Sequence, residues 1–310
     1  MTPRKPRILL LGTTGQVGRE LQASFADFGE LTCADRKSAD FARPELVGNL
    51  VRHVAPDVIL NAAAYTAVDR AESEPALART VNAEAPRVLA EEALRLGALL
   101  VHYSTDYVFD GTNQEPWTEA DGPNPLNVYG ASKLAGERAI ESIGGRHLVF
   151  RTSWVYGAHG SNFLCTMLRL ARDRERLSIV NDQFGTPTSS IEIAAATRLI
   201  VERVMEGRFR DEKDWTGTYH MTCADSTTWF GFAHAIFARA SRLLDGKLPQ
   251  LTPIATADYP TPARRPRNSV LSNARLVERF GISLAPWGAA LDTVMAKLLS
   301  DAEGRDRPGT

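Results

Sequence analysis

Short apolar segments that alternate with helical segments constrain the fold of this chain more than any other feature of its sequence. Five of them are only four or five residues long, which suits buried strands better than helices: 8–11, 31–34, 57–61, 99–103 and 147–151. Strands separated by helical crossovers lie parallel in one sheet with helices on both faces. The sequence therefore predicts an α/β fold with a doubly wound parallel sheet, whose ligands bind beyond the carboxyl ends of the strands.

The second half of the chain predicts a smaller lobe. A chain of 310 residues, 44% of them hydrophobic, is long enough for one large core and a smaller one. The strand-and-helix rhythm changes after about residue 156, and the turn-rich stretch 183–188 follows. We expect a dinucleotide-binding domain over 1–155 with a return helix near 190–205. A smaller α/β substrate lobe over 156–300 and a disordered, polar tail over 301–310 complete the prediction.

A glycine-rich turn follows the first predicted strand. Gly12, Gly15 and Gly18 enclose Gln16 and Val17 and lead into an amphipathic helix. Glycines let the backbone approach a ligand, and the free amides of the helix start suit a pyrophosphate, which is the pattern of a Rossmann-type site. The alternative is a tight turn whose glycines serve packing alone, because this spacing is looser than GxGxxG.

The second predicted strand ends at Asp35 and Arg36. An acidic residue at this offset reaches the adenosine ribose of NAD, whereas an arginine can receive the 2′-phosphate of NADP. The choice between NADH and NADPH stays open at this point.

Tyr129 and Lys133 are four residues apart, so on a helix their side chains face the same way. A lysine charge near the phenol favours the phenolate and predicts a pKa below the usual value of about 10. Thr105 and Asp106, at the end of the fourth predicted strand, belong to the same sheet edge. The alternative is a packed ring beside a solvated charge.

Composition excludes several other classes of protein. A net charge of -1 gives no general attraction to nucleic acid or to an anionic membrane surface. Cys33, Cys165 and Cys223 show neither a disulfide framework nor zinc-ligand spacing. No segment has the length and apolarity of a membrane span or a signal peptide, so we expect a cytoplasmic protein.

Seven segments resemble the extended short-chain dehydrogenases and, within them, the dTDP-4-dehydrorhamnose reductases. They are 12–18, 61–69, 102–109, 127–133, 151–156, 181–188 and 259–269. The resemblance covers nearly the whole chain and implies reduction of the 4-keto group of dTDP-4-dehydro-β-L-rhamnose with NADPH or NADH. It assigns proton donation to Tyr129, with Lys133 and Thr105 as its catalytic partners.

The resemblance also implies the remaining site residues. The expected cofactor contacts are Gly12, Gly15, Gln16, Val17, Gly18, Asp35, Arg36, Asp40, Phe41, Ala64, Tyr65, Thr66, Tyr103, Tyr129 and Lys133. The sugar nucleotide is expected to contact Thr105, Asp106, Trp154 and Arg265. Two alternatives remain: another nucleotide-sugar ketoreductase or epimerase, and a non-catalytic regulatory subunit of the same fold.

One departure concerns magnesium. Some enzymes of this group form dimers bridged by Mg²⁺ through acidic side chains, and Glu20 matches the first of these positions. The second is displaced to Glu192, and the third corresponds to Lys297, whose charge would repel the ion. We therefore expect the metal-bridged dimer to be absent or altered, with Mg²⁺ binding, a monomer or another homodimer left open.

Overall fold

The computed structural model of the protein describes residues 4–305 and places a six-stranded sheet between two layers of helices. The strands are β1 (Arg7–Leu11), β2 (Glu30–Ala34), β3 (Val58–Asn61), β4 (Leu99–Thr105), β5 (His147–Thr152), β6 (Val155–Tyr156), β7 (Arg176–Val180), β8 (Phe184–Gly185), β9 (Thr188–Ser189), β10 (Gly217–His220), β11 (Thr227–Thr228) and β12 (Gln250–Ile254). The helices are α1 (Gln16–Phe25), α2 (Pro44–Val54), α3 (Val68–Ala71), α4 (Pro75–Arg79), α5 (Ala85–Leu96), α6 (Val128–Ile143), α7 (Phe163–Asp173), α8 (Ser190–Met205), α9 (Trp229–Arg239), α10 (Ala274–Phe280) and α11 (Trp287–Arg305). A π-helical turn, Thr80–Glu84, joins α4 to α5.

The central sheet has the order β2, β1, β3, β4, β5, β10, and all of its pairs are parallel. The register aligns Leu11 with Asn61, and Asn61 with His102. The order reverses between β1 and β3, where a doubly wound sheet opens a cleft at its carboxyl edge. This arrangement confirms the predicted fold class.

Alternate residues of the central strands enter two different cores. Ile8 and Leu10 pack on one face with α1 and α8, whereas Leu9 and Leu11 pack on the other with α2 and α5. All four side chains are fully buried. A strand buried on both faces has to be apolar throughout, which explains the continuous apolar runs that the sequence shows.

The second lobe has a core of its own. β7 and β12 pair in parallel, and α7, α9 and α11 contribute the buried side chains of this core, among them Leu164, Phe232, Ile236 and Leu291. α8, which covers the residues of the predicted return helix, contributes Ile193, Ile200 and Val201 to the core of the main sheet instead. The chain therefore leaves the sheet after β5 and comes back to it twice, with α8 and with β10.

The structure differs from the sequence predictions in several elements. β10 and β12 are strands that the sequence did not predict. The sequence pattern over 228–244 predicts one helix, but α9 ends at Arg239. The tail predicted as disordered begins at 301, but α11 continues to Arg305, so residues 301–305 are helical. Residues 306–310 of that tail lie outside the described residues. Within residues 4–305, no helix combines the length and the apolarity that a bilayer crossing needs.

Candidate active site

The glycine turn between β1 and α1 lies against the loop that follows β3. Gly12 has a φ of +81°, and a Cβ built on it would lie 2.6 Å from the Ala63 nitrogen. A Cβ on Gly18 would lie 2.1 Å from the Gly12 carbonyl oxygen. Both contacts are closer than any side chain allows, so packing requires glycine at both positions, and the positive φ of Gly12 also favours glycine there. Gly15 is the N-cap of α1, and no side chain caps its free amides.

A cavity of about 390 Å³ opens beside this turn. Most of the residues predicted to bind the cofactor line it: Gly12, Gly15, Asp35, Arg36, Asp40, Phe41, Ala64, Tyr65 and Thr66. Uncapped amides at a helix N-terminus suit a phosphate group, and the alanines leave room for a flat ring. The cavity therefore fits the adenosine half of a dinucleotide.

Asp35 and Arg36 differ in whether their charged groups already have partners within residues 4–305. Asp35 Oδ1 accepts from Lys37 N at 3.0 Å, from Ser38 N at 3.1 Å and from Ser38 Oγ at 2.9 Å. These hydrogen bonds, those from Ser38 above all, hold the pKa of the Asp35 carboxyl below its usual value. Arg36 is exposed, and its guanidinium makes no ion pair with any residue of 4–305.

Three of the predicted cofactor residues use their side chains elsewhere. Gln16 Oε1 accepts from Asn162 Nδ2 at 2.9 Å, which ties the glycine turn to the start of α7. Val17 packs on the main core. The Tyr103 hydroxyl is 2.9 Å from Thr197 Oγ1, so Tyr103 presents only its backbone carbonyl to the site.

Tyr129 lies in the first turn of α6, and the start of that helix is held from three directions. Asn127 is its N-cap and accepts from Gly130 N at 2.8 Å, while Asn127 Nδ2 donates to the Arg264 carbonyl at 2.8 Å. Glu72 Oε1 accepts from Val128 N at 2.9 Å. These contacts fix the phenol relative to the end of β4.

Thr105 and Asp106, at the end of β4, form a buried hydroxyl–carboxyl cluster. Thr105 Oγ1 donates to Asp106 Oδ1 at 2.9 Å, and Ser153 Oγ donates to Asp106 Oδ2 at 3.0 Å. Burial raises the pKa of Asp106 to about 6, because these hydroxyls only partly replace water. Asp106 forms no ion pair with the described residues, so the hydroxyls of Ser269, Thr105 and Ser153 stabilise its carboxylate.

The pKa of Tyr129 corrects one expectation. Burial raises the pKa of this phenol to about 12, and the Thr105 hydroxyl opposes that rise. The prediction that Lys133 lowers the pKa of Tyr129 was wrong for the protein alone, because loss of hydration outweighs any favourable charge. A raised pKa keeps the phenol protonated at neutral pH, which is the form that a general acid needs.

Lys133 lies one turn after Tyr129 and is fully buried. Its Nζ donates to the Tyr103 carbonyl at 2.6 Å and lies 3.2 Å from His102 Nε2. Burial lowers the pKa of Lys133 to about 8, and the carboxylate of Glu137 partly offsets that effect. The structure thus brings Tyr129, Lys133 and Thr105 to the same end of the sheet.

A second cavity, of about 920 Å³, lies between β4 and the second lobe. Arg265 lines it, with Nη2 2.8 Å from Asp69 Oδ2 and the guanidinium 5.9 Å from the centre of the Tyr107 ring. Trp154 has a φ of +46° and stacks on Trp229, a residue of the cavity wall, at 3.5 Å between ring centres. A left-handed conformation is rare for a bulky residue and accompanies functional sites.

The sequence leaves two interpretations of Asn82: it matches a helix asparagine of related enzymes, and a cap or polar-core role explains it as well. Asn82 lies in the π-helical turn, where it accepts from Tyr65 N at 2.8 Å and donates to the Tyr65 carbonyl at 3.0 Å. Asp69 and Trp229 line the larger cavity. The sequence gives Asp69 no role of its own, and the aromatic residues of the helix that begins at Trp229 predict core packing instead. A π-helical turn often marks a functional site, but it has no sequence signature.

The residues around Glu20 do not fit a magnesium ion. Glu20 Oε1 accepts from Lys297 Nζ at 2.9 Å, and Glu192 Oε2 accepts from Ala285 N at 3.0 Å. Within the described part of the chain, no three acidic, histidine or cysteine side chains converge as a metal site would require. An ammonium group already neutralises Glu20.

Together, the parallel sheet, the glycine turn and the Tyr129–Lys133 pair define an extended short-chain dehydrogenase. The family model described as the RmlD substrate binding domain matches residues 6–300. A dTDP-4-dehydrorhamnose reductase from Burkholderia thailandensis is 51% identical over 298 residues, which cover 95% of this chain and 99% of that protein. The chain belongs to the dTDP-4-dehydrorhamnose reductase family.

Solved structures agree with this assignment. A dTDP-4-dehydrorhamnose reductase from Clostridium acetobutylicum superposes with a TM-score of 0.85 at 36% identity, covering 94% of this chain and 99% of that one. The enzyme of the same name from Bacillus anthracis, solved in complex with NADP, has a TM-score of 0.84 at 34% identity with the same coverage.

Proposed function

We propose that this protein reduces the 4-keto group of dTDP-4-dehydro-β-L-rhamnose to give dTDP-β-L-rhamnose, using a nicotinamide coenzyme. The family membership over residues 6–300 supports the activity, and the meeting of Tyr129, Lys133 and Thr105 at the carboxyl edge of the sheet is the observation that carries it. The intact trio also argues against a non-catalytic regulatory subunit, which has no need of a proton donor.

The bound coenzyme supplies the hydride, and the protein manages the charge and the proton. As the carbonyl carbon is reduced, negative charge develops on its oxygen, and Tyr129 donates its proton there. A phenol with a pKa of about 12 is protonated before the reaction and still more acidic than the alcohol that forms. Lys133 stabilises the phenolate that remains and returns a proton to it. General acid catalysis of this kind contributes about 10²–10⁴-fold.

We propose NADPH as the preferred coenzyme. Asp35 uses one carboxylate oxygen to close its own turn, while Arg36 lines the smaller cavity with a guanidinium that has no ion-pair partner among residues 4–305. A guanidinium and a 2′-phosphate form strong, bidentate hydrogen bonds. Arg36→Ala should raise the KM for NADPH about tenfold and change the KM for NADH little. Lys37→Ala, the exposed neighbour, is the matched control, and equal effects of the two variants on NADPH would contradict this role.

The larger cavity is proposed to hold the sugar nucleotide. Arg265 provides a cation for the diphosphate, and Trp229, backed by Trp154, provides an aromatic face. Thr105 and Asp106 lie at the end of β4 and do not line this cavity, but Tyr107, which follows them, does.

The decisive experiment is coenzyme oxidation by the purified protein with dTDP-4-dehydro-L-rhamnose, with NADPH and NADH in parallel. Stereoisomeric keto-sugars and a UDP-linked sugar separate this activity from that of a related reductase or epimerase. No oxidation of either coenzyme with the rhamnose precursor would refute the proposal.

A further inference from the structure

Lys133 has two polar partners inside the protein, and one of them is a histidine that the mechanism has not used. Nζ lies 2.6 Å from the Tyr103 carbonyl and 3.2 Å from His102 Nε2. Lys133 and His102 are each only 1% exposed. A buried amine has few hydrogen-bond partners, so the tautomer of His102 directly affects the protonation state of Lys133.

The other ring nitrogen of His102 faces Asn61, at the end of β3. Asn61 Nδ2 lies 2.9 Å from His102 Nδ1, and Asn61 Oδ1 accepts from Ala63 N at 3.2 Å. A backbone N–H can only donate, which assigns the amide oxygen to Ala63 and the amide NH₂ to His102. His102 Nδ1 is therefore an acceptor, and in the neutral ring the proton is on Nε2, directed at Lys133.

We infer that His102 is a positioning residue for Lys133: Asn61 holds the imidazole in the tautomer that donates from Nε2 to the neutral amine of Lys133. This role rests on the proposed reductase activity. When Tyr129 gives its proton to the substrate oxygen, an N–H bond of the Lys133 ammonium breaks and that proton returns to the phenolate. The lone pair left on Nζ then accepts from His102 Nε2, and solvent later restores the proton of Lys133. His102 itself neither gains nor loses a proton.

The charges around the pair are consistent with this assignment. From α6, Tyr129 precedes Lys133 by one turn, and the carboxylate of Glu137 follows it by one turn and favours the ammonium. From β3, Asn61 is polar but uncharged, and from β4, His102 is the titratable neighbour. Burial, and then the Lys133 charge, hold the pKa of His102 well below its usual value, so the ring stays neutral. Burial lowers the pKa of Lys133 to about 8, within reach of the neutral amine.

The tautomer can be observed without any assay of activity. The protein contains six histidines, and ¹⁵N labelling of histidine lets NMR distinguish a protonated from an unprotonated ring nitrogen. The signal missing from a His102→Asn variant identifies His102. We expect a proton on Nε2, none on Nδ1, and no titration in the usual range of a histidine. A proton on Nδ1 would overturn the inference even if the protein is an active reductase.

The pH dependence of turnover tests the consequence for Lys133. Reduction needs the ammonium, so the rate of the wild-type enzyme falls as the pH rises through the pKa of Lys133. In His102→Asn the shorter amide no longer reaches Nζ, so no N–H group opposes the Lys133 ammonium. The alkaline limb, which is the fall in rate at high pH, should therefore move up by about one pH unit. His147→Asn replaces a buried histidine of β5 that hydrogen-bonds the Gly145 carbonyl, and it should leave the limb unchanged.

The outcomes separate this inference from the proposed function. An inactive wild-type protein refutes the function, whereas an active wild type with an unmoved or lowered limb in His102→Asn refutes the role of His102. If that variant does not fold, Asn61→Asp replaces it. A carboxylate can only accept, so it places the proton on Nδ1, leaves Nε2 to accept from the ammonium and should raise the limb. An unmoved limb in Asn61→Asp would equally refute the role.

Discussion

At the scale of single residues, burial and hydrogen bonds determine which side chains of the site are protonated. Tyr129 is kept protonated by burial, Asp106 is kept away from cations, and the Thr105 hydroxyl donates to Asp106. The sequence identifies these residue types but not their pKa directions, because the burial that sets them comes from β4, α6 and Ser153, which are distant along the chain.

Tyr129→Phe should lower turnover by about 10²–10⁴-fold while the coenzyme still binds. The hydroxyl is needed only when charge develops on the substrate oxygen, and the ring still packs edge-on against Tyr107 at 5.9 Å between centres. Steady-state rates and coenzyme titration by fluorescence, on one preparation, check both parts. Turnover close to that of the wild type would remove Tyr129 from the proton-donor role.

Asp106→Asn should stabilise the protein at alkaline pH although it impairs the site. The pKa of Asp106 is raised from 3.8 to about 6 on folding, so the ionised carboxylate costs stability above about pH 6. That cost in stability disappears as the pH falls below the pKa of the unfolded state, and the neutral amide of asparagine does not incur it at any pH. We expect the variant to gain about 1–3 kcal/mol at pH 8 and nothing near pH 4, measured by urea unfolding at both values. A gain that does not change with pH would show that Asp106 is not the titrating group.

At the scale of elements, sequence patterns predict what short-range periodicity can encode. The five predicted strand segments become β1 to β5. β1, β3, β4 and β5 are buried at nearly every position, which favours apolar residues on both faces, whereas the edge strand β2 is mostly exposed. β10 was not predicted because it is only four residues long and contains a single large aromatic residue. It also follows a charged stretch of the sequence. β12 was not predicted because it contains Pro253, and a proline inside a segment argues against a strand. The two-stranded pairing with β7 accommodates this proline.

The contact between α6 and the π-helical turn is an element-scale feature that a methyl group should disrupt. A Cβ on Gly136 would lie 2.1 Å from the Asn82 carbonyl oxygen, which is backbone and cannot turn aside. Gly136→Ala should therefore destabilise the protein by at least about 2 kcal/mol and loosen the Asn82–Tyr65 contacts beside the smaller cavity.

Gly288→Ala is the matched control for this prediction. Gly288 lies in α11 with no atom within 4 Å of its added Cβ, so alanine should be neutral or stabilise by about 0.5 kcal/mol. Urea unfolding of both variants gives the comparison. Equal stability of the two would mean that α6 and the π-helical turn can move apart at little cost.

At the scale of the whole molecule, the cleft is built from distant parts of the chain. Asp69 meets Arg265, and Gln16 meets Asn162, across contacts that no local pattern encodes. The sequence could place the glycine turn and the Tyr129–Lys133 pair on one sheet edge, because parallel strands share their carboxyl ends. It could not show that Trp229 lines the cavity, since a helix rich in aromatic residues is usually buried in a core.

The Lys297–Glu20 pair leads to a prediction about assembly. Lys297 Nζ lies 2.9 Å from Glu20 Oε1, and the Glu20 side chain is only 12% exposed, so an internal cation already neutralises this carboxylate. A magnesium ion would have to approach against the ammonium charge. Size-exclusion chromatography with light scattering should therefore give one mass, the same in Mg²⁺ and in EDTA. Lys297→Glu should lower the melting temperature through like-charge repulsion with Glu20, and Mg²⁺ should restore part of that loss in the variant but not raise the wild type. A wild-type dimer that dissociates in EDTA would show that the ion competes successfully with Lys297.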